Sequence, residues 1–413
     1  MNRALLTVAM AEAFVSWRNV IRHRRRTAIG ALAVTFGTVA LIVAAGFIEW
    51  IYLSMREGTI HAGLGHLQVV RSGYPEHGMA DPFNYLLADD APEFKRLKQA
   101  PHVRNVAQRL HFTGLVAFGE NSLSFLGEGR DPDSEVGGVD ALIIESGSPL
   151  SNTVANGMLI GQGLAANLGV KVGDKVVLLV NKRGGALDGT ELTVRGVFST
   201  QTKAYDDVAL QIPFHVANAM LQAHGAHRWV VYLDRTANTA AAVRSAQALL
   251  SKDFVVVPWY EAADFYNKTV RLFSRQVLVM KLIIALVVIL SISNTMMLAV
   301  MERISEIGTM MALGVRRARV LSRFLVEGLF IGVIGGAAGV VLGYVLAAGI
   351  STVGIPMPPP PGMARSFVGE ILVTPGLVFD AVLLALLTAL IASAYPAWKA
   401  SRMVIADALR HGR

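Results

Sequence analysis

The chain has 413 residues, 53% of them hydrophobic and only 16% charged, a balance too apolar for a soluble protein of this length. It carries no cysteine, which excludes disulfides and thiolate metal sites. Its net charge of +8 invites a nucleic-acid reading, and the placement of that charge decides the matter.

In chain order, residues 1–26 form a basic, amphipathic segment. The run Thr27 to Ile48 follows, 22 residues without a charge. It is longer than the roughly 7–15 apolar residues of a signal peptide, so 27–52 reads as a first transmembrane helix. Residues 53–275 read as a mixed α/β domain. Strand-like runs are 66–70, 175–180, 191–198, 229–233 and 254–259. Helical patterns are 91–100 and 236–253, the latter with Ala241, Val243, Ala246, Leu249 and Leu250 on one face. The segment 156–180 reads as a short helix, a turn at Gly173-Asp174 and a strand.

Three further uncharged runs complete the chain: Leu282 to Met301, Gly328 to Ile350 and Ala381 to Trp398. They place transmembrane helices over 277–301, 327–350 and 374–397, because about 20 helical residues cross about 30 Å of hydrocarbon. Backbone groups find no water there, so the spans are helical. Between the second and third lies a charged stretch, 302–323. Between the third and fourth, 351–372 contains the stiff "GIPMPPPPGM". Residues 398–413 form a tail. The expected fold is an integral membrane α-helical protein with four transmembrane helices. A large mixed α/β domain, residues 53–275, is inserted between helices 1 and 2.

The segments 1–26, 302–323 and 398–413 hold fifteen Lys and Arg against four acidic residues. The rest of the chain sums to −3. The basicity is therefore juxtamembrane, where it orients helices and attracts anionic lipid, and nucleic acid is excluded as a partner. The expected topology is N-in and C-in.

No Walker-type phosphate loop, H-E-x-x-H or G-x-S-x-G occurs. His224 and His227 read as incidental surface histidines, and Asp131 and Asp133 around Pro132 as a turn. No catalytic, cofactor or metal residues are expected. Packing chemistry is plainer: Gly328, Gly332, Gly336, Gly339 and Gly343 line one face of the third span, where small residues admit another backbone. Glu49, Lys281, Glu327 and Asp380 stand at span edges, and depth alone would let Lys281 pair with Asp380.

In the charged stretch, Ile304, Ile307 and Met311 form an apolar stripe at helical spacing, and Gly314 is a natural stop. Glu302 and Glu306, one turn apart, repel unless something accepts them. Two carboxylates beside an apolar stripe suit docking into the groove of a cytoplasmic partner.

The stretch "MERISEIGTMMALGVRRARVLSRFLVEGLFIGVIGGAAGVVLGY" (301–344) resembles the signature of the FtsX/MacB/LolC-type permeases of ATP-binding cassette (ABC) systems. Glu302, Arg303, Glu306, Ile307, Gly308, Ala312, Leu313 and Gly314 occupy the family's E-R-x-x-E-I-G-x-x-x-A-L-G pattern. "SWRNVIRHRRRTAIGALAVTFG" (16–37), "GMLIGQGLAANLGVKVGDKVVLLV" (157–180) and "YPAWKASRMVIADALRHG" (395–412) are similar to further family segments. The resemblance implies a dimer of permease chains, like or unlike, in the bacterial inner membrane, each with a mixed α/β periplasmic domain in which 53–110 and 228–275 are membrane-proximal and 111–227 is an inserted β-rich lobe. Each would dock a cytoplasmic ATPase that holds ATP and Mg, through a coupling helix from Glu302 to Gly314 that includes Met311. It implies a substrate taken from the outer leaflet or periplasm, with membrane lipid and a periplasmic carrier or adaptor as further partners. The lipoprotein-release branch is favoured, since no ATPase is fused to the chain. The alternative is a mechanotransmitting subunit that regulates a periplasmic hydrolase or sensor.

Overall fold

The computed structural model describes residues 18, 21–22, 24–78, 81–134, 142–153, 156–200, 203–357 and 367–404. Most of the basic segment 1–26, the Pro-rich stretch 358–366 and the closing pattern beyond 404 lie outside the described residues. The chain divides into two compact units. A helical unit comprises Met1–Leu53, Val270–Pro356 and Val368–Arg413, and an inserted unit comprises Ser54–Thr269 and Met357–Phe367.

The helical unit contains four helices long and apolar enough to cross a membrane: Arg24–Thr59, Asp264–Glu302, Arg317–Val353 and Pro375–Ser401. The first two overrun their apolar runs, so that residues 54–59 and 264–269 belong to the inserted unit. The fourth starts on a side-chain cap, Thr374 Oγ1 accepting from the Leu377 N–H at 3.2 Å, with Pro375 at its first position. A short fifth helix, Ile304–Ala312, sits between the second and third. The core of this unit joins Val34 of the first helix, Ile292 and Met296 of the second, Ile331 of the third and Ala389 of the fourth.

The inserted unit is built on ten strands: β1 Leu67–Arg71, β2 Val103–Phe118, β3 Asn121–Arg130, β4 Ile143–Gly147, β5 Gly157–Gly161, β6 Lys175–Asn181, β7 Leu187–Ser199, β8 Ala209–Pro213, β9 Arg228–Leu233 and β10 Phe254–Pro258. They pair in the order β10-β1-β9-β2-β3-β8-β5-β7-β4, and β6 bridges β2 and β7. The strands β2-β3-β8-β5-β7-β6 therefore form a closed hydrogen-bonded ring, from which β9, β1 and β10 continue as an open sheet. The long β2 serves both parts. Its residues 103–109 pair with β9 and its residues 114–117 with β6. The expected boundary at 110 thus falls inside one continuous strand. The residues 157–161, expected to open a helix, form the fully buried β5, and the helix follows at Gln162–Leu168. In the helix Thr239–Leu249 the buried side chains are Thr239, Ala242 and Ala246, while Leu249 is exposed.

One sheet face is apolar, with Trp229, Val231, Leu110 and Val106 in the main core. The opposite face buries charge. Glu128 lies 3.3 Å from Arg228, 3.7 Å from Arg130 and 3.9 Å from Arg109. Burial alone would raise its pKa, but the Arg109 guanidinium, with His111, Arg130 and Arg228, outweighs burial and holds the carboxyl well below the usual range. His227 is fully buried, and its Nδ1 accepts the His111 N–H at 3.0 Å, a bond that a proton on Nδ1 would remove. Burial lowers its pKa from 6.5 to about 4. Between those values the unfolded chain binds a proton that the native domain does not, so stability falls as pH drops through that window. The loss at His227 should be about 2 kcal/mol at pH 5 relative to neutrality. Melting curves of the whole chain at pH 7.5 and 5 check this, and His227→Gln, which can still accept from the amide, should lessen the dependence, the remainder coming from His66 and His111, whose pKa values burial also lowers. A melting temperature equally pH-dependent in both chains would refute the assignment.

Candidate functional site

The second helix ends at Glu302 because Arg303 leaves helical geometry, at φ −112° and ψ 19°. The chain resumes as the helix Ile304–Ala312 and stops at Gly314, whose φ of +89° is the left-handed region that glycine occupies at least cost. The short helix is amphipathic, and its two faces are not those expected from the sequence. Ile307, Gly308 and Met311 are buried, with Ile307 and Met311 in the same core as Val320, Phe324 and Ala400. Of the Ile304–Ile307–Met311 stripe, Ile307 and Met311 are therefore corrected as docking residues, because they pack on their own chain, while Ile304 is half-buried. The outward face carries Ser305, Glu306, Thr309, Ala312, Leu313 and Gly314, and Leu313 is 81% exposed.

The glutamates are accepted from within the chain. Arg26 Nη1, at the start of the first helix, lies 2.9 Å from Glu302 Oε2, and Arg303 Nε lies 3.3 Å from Glu306 Oε2. Both arginines also reach Glu327 on the third helix, whose side chain is only 4% exposed. Its two oxygens are divided: Oε1 is 3.5 Å from Arg26 Nη2, and Oε2 is 3.5 Å from Arg303 Nη1. A buried carboxylate needs such partners, since removing one leaves an uncompensated charge. In the sequence Glu327 is one of four edge residues. A lone carboxylate bordering a glycine-rich apolar run was the available signal, but its partners lie 24 and 301 positions away.

The glycines of the third helix make two seams rather than one face. A Cβ at Gly328 would meet Ser393 at 2.3 Å, at Gly332 Ala389 at 2.8 Å and at Gly336 Ala385 at 3.3 Å, all on the fourth helix. Gly339 and Gly343 instead face Thr38 and Ile42 of the first helix. Gly335, absent from the expected set, joins this second seam, 2.6 Å from both the Ala31 carbonyl oxygen and Val34 Cβ. Thr35 Oγ1 fastens the seam by donating to the Gly335 carbonyl at 3.1 Å. Both seams lie within one chain. Midway along the second helix, Lys281 Nζ pairs at 2.8 Å with Asp380 Oδ2 near the start of the fourth. Together with Glu49 the pair lines a cavity of about 480 Å³ between the first, second and fourth helices.

The short helix is thus held inward by the packing of Ile307 and Met311, while Arg303 at its start pairs with Glu327 of the third helix, and one face points outward. Among the described residues no group of three or more His, Asp or Glu could hold a metal ion. His224 and His227 do not converge, for His227 stacks on Tyr74 at 5.7 Å inside the domain. Asp131 and Asp133 both accept from Asn152 Nδ2 at 2.8 Å, as turn residues.

Comparison with known proteins places these features in a family. The profile of the FtsX-like permease C-terminal region matches residues 278–405, and that of the MacB-like periplasmic core domain matches residues 27–249. The lipoprotein-releasing system transmembrane protein LolC of Xylella fastidiosa (strain 9a5c) is 27% identical over 405 residues, covering 92% of each chain. The macrolide export ATP-binding/permease protein MacB of Brucella abortus is 36% identical over 149 residues, 36% of this chain and 20% of that protein. The periplasmic region of MacB from Actinobacillus actinomycetemcomitans is similar to 51% of this chain and 95% of its own, at 16% identity and a TM-score of 0.38. With the MacB-like profile alone covering more than half of its residues, the chain belongs to the FtsX/MacB/LolC-type family of ABC transporter permeases.

Proposed function

We propose that this chain is the permease subunit of a bacterial inner-membrane ABC transporter that releases a lipidated or amphipathic substrate on the periplasmic side. Both termini and residues 302–323 face the cytoplasm, and 53–275 face the periplasm, with juxtamembrane arginines holding that orientation. The chain is not itself an enzyme. A separate ATPase binds ATP and Mg, and docks on the outward face of the helix Ile304–Ala312 and on Leu313. A second permease chain completes the dimer, and a periplasmic carrier receives the substrate.

One observation carries this reading. A helix whose inner face is packed on its own chain leaves Leu313 at its end 81% exposed, with Glu306 exposed two turns earlier, at the arginine-rich end of four apolar helices. An apolar anchor rimmed by charge is what a partner's groove would seat. The likeness to a LolC protein along 92% of the chain favours a lipidated substrate over other cargo.

The test is reconstitution of the chain in liposomes with an ABC ATPase and a second permease that co-purify with it, together with an acylated peptide. ATP-dependent transfer of that peptide to a soluble acceptor is expected. If ATP drives no transfer and a cell-wall hydrolase is instead found bound to residues 53–275, the regulatory alternative replaces this reading.

A further inference from the structure

We infer that Glu327 is the joint through which movement of the short helix Ile304–Ala312 reaches the first helix, a positioning role that rests on the coupling function proposed above. The second helix is joined to the short helix through Arg303, and the third through residues 313–316. The first helix has no such covalent link, yet it is the helix that runs unbroken from Arg24 to Thr59, its last residues belonging to the inserted unit. What ties its start to the short helix is charge. Arg26 spans Glu302 and Glu327, and Arg303, itself the residue at which the second helix breaks, spans Glu306 and Glu327. Among the described residues, Glu327 is the carboxylate that pairs with both arginines.

The chemistry of the joint is specific. Each oxygen of one carboxylate serves one guanidinium at 3.5 Å, so both arms hold only while both oxygens are acceptors. Glutamine has nearly the same shape but turns an N–H₂ toward one arginine, which opens one arm without changing volume. Aspartate keeps the charge but is a methylene short of spanning both. Lysine at 303 keeps the charge yet offers a point rather than a fork, and cannot serve Glu306 and Glu327 together. The seam of Gly335, Gly339 and Gly343 packs the first helix against the third. The ion pairs then decide whether the short helix moves with that pair of helices or independently of it.

The absence of cysteine makes the test clean, because spin labels go only where cysteines are introduced. Labels at Thr309→Cys and Ile29→Cys, both exposed positions, report the distance from the short helix to the first helix. A second pair, Thr309→Cys with Leu329→Cys, reports the distance to the third. In the purified full chain the parent should give a narrow distribution for both pairs, and Glu327→Gln a broad one. Arg26→Gln should broaden only the pair to Ile29, and Arg303→Gln both pairs, a selectivity that general destabilisation would not produce. Because Thr309 lies on the docking face, the assembled complex is tested without labels, and there Glu327→Gln should still bind the ATPase. ATP turnover should persist while ATP-driven release falls about tenfold, the size of a typical coupling term.

Glu327→Gln distributions that superimpose on the parent would overturn the joint. Should Glu327→Gln fail to reach the membrane, Arg303→Lys carries the same comparison with charge retained. If no ATPase binds the parent chain, the coupling reading falls, while the nucleotide-free distances still decide whether the joint exists.

Discussion

Leu313→Asp is expected to abolish co-purification of the ATPase while the chain still folds and inserts. Leu313 is 81% exposed and outside the core that holds Ile307 and Met311, so a carboxylate there should leave the chain's own packing intact. Removing an apolar anchor from the middle of an interface typically costs 2 kcal/mol or more, which is about a thirtyfold loss of affinity. Thr309→Lys, one turn back on the same face, should weaken association in the same direction. Ile307→Asp should act differently, because it places a charge in the core and lowers the amount of folded chain. Reversing Glu302 and Glu306 to lysine would not isolate docking. Those changes set cations against Arg26 and Arg303 and break ties within the chain. The measurement is the amount of ATPase retained per folded permease. Full retention by Leu313→Asp would move the docking surface away from this face.

Two adjacent glycines should give opposite results. Gly335→Ala forces a methyl to within 2.6 Å of the Ala31 carbonyl oxygen and of Val34 Cβ, neither of which can swing away. The seam between the first and third helices must open, at a cost of about 1–3 kcal/mol, and the Thr35 bond to the Gly335 carbonyl opens with it. At Gly336 the new methyl meets only Ala385 Cβ, at 3.3 Å. A few tenths of an ångström relieve that contact, and alanine's higher helix propensity offsets it by up to about 1 kcal/mol. Thermal inactivation of the two purified variants checks the contrast. Equal behaviour would mean that the two seams do not differ in closeness.

The helical unit was nearly all legible, because a chain inside hydrocarbon has few options: uncharged runs of membrane length give helices, and arginine clusters mark one side. The Lys281–Asp380 pair followed from depth alone. What escaped was direction. Ile304, Ile307 and Met311 form a stripe in the sequence, but whether a stripe meets a partner or its own chain depends on Val320, Phe324 and Ala400, which the local pattern does not contain. The same limit merged two glycine seams into one and left out Gly335, which is one position off the four-residue rhythm and faces a different helix. In the inserted unit, β1, β9 and β10 were readable as β-branched runs. The central β2 was not, because its second face buries Arg109, 3.9 Å from Glu128, and interrupts the apolar alternation that marks a strand. The run 157–161 was misread since a short, wholly buried apolar stretch has no period to distinguish strand from helix.

The most direct measurement is a site-specific cross-link. Because the chain has no cysteine, Leu313→Cys provides a unique attachment point for a short bifunctional reagent in the native membrane complex. The expected result is one cross-linked species that joins this chain to a nucleotide-binding ATPase, lost when Leu313→Cys is replaced by Ile307→Cys on the buried face. A cysteine at 313 that remains unlinked while the ATPase stays bound, or that links only to a second permease chain, would contradict the assignment of this helix as the coupling surface.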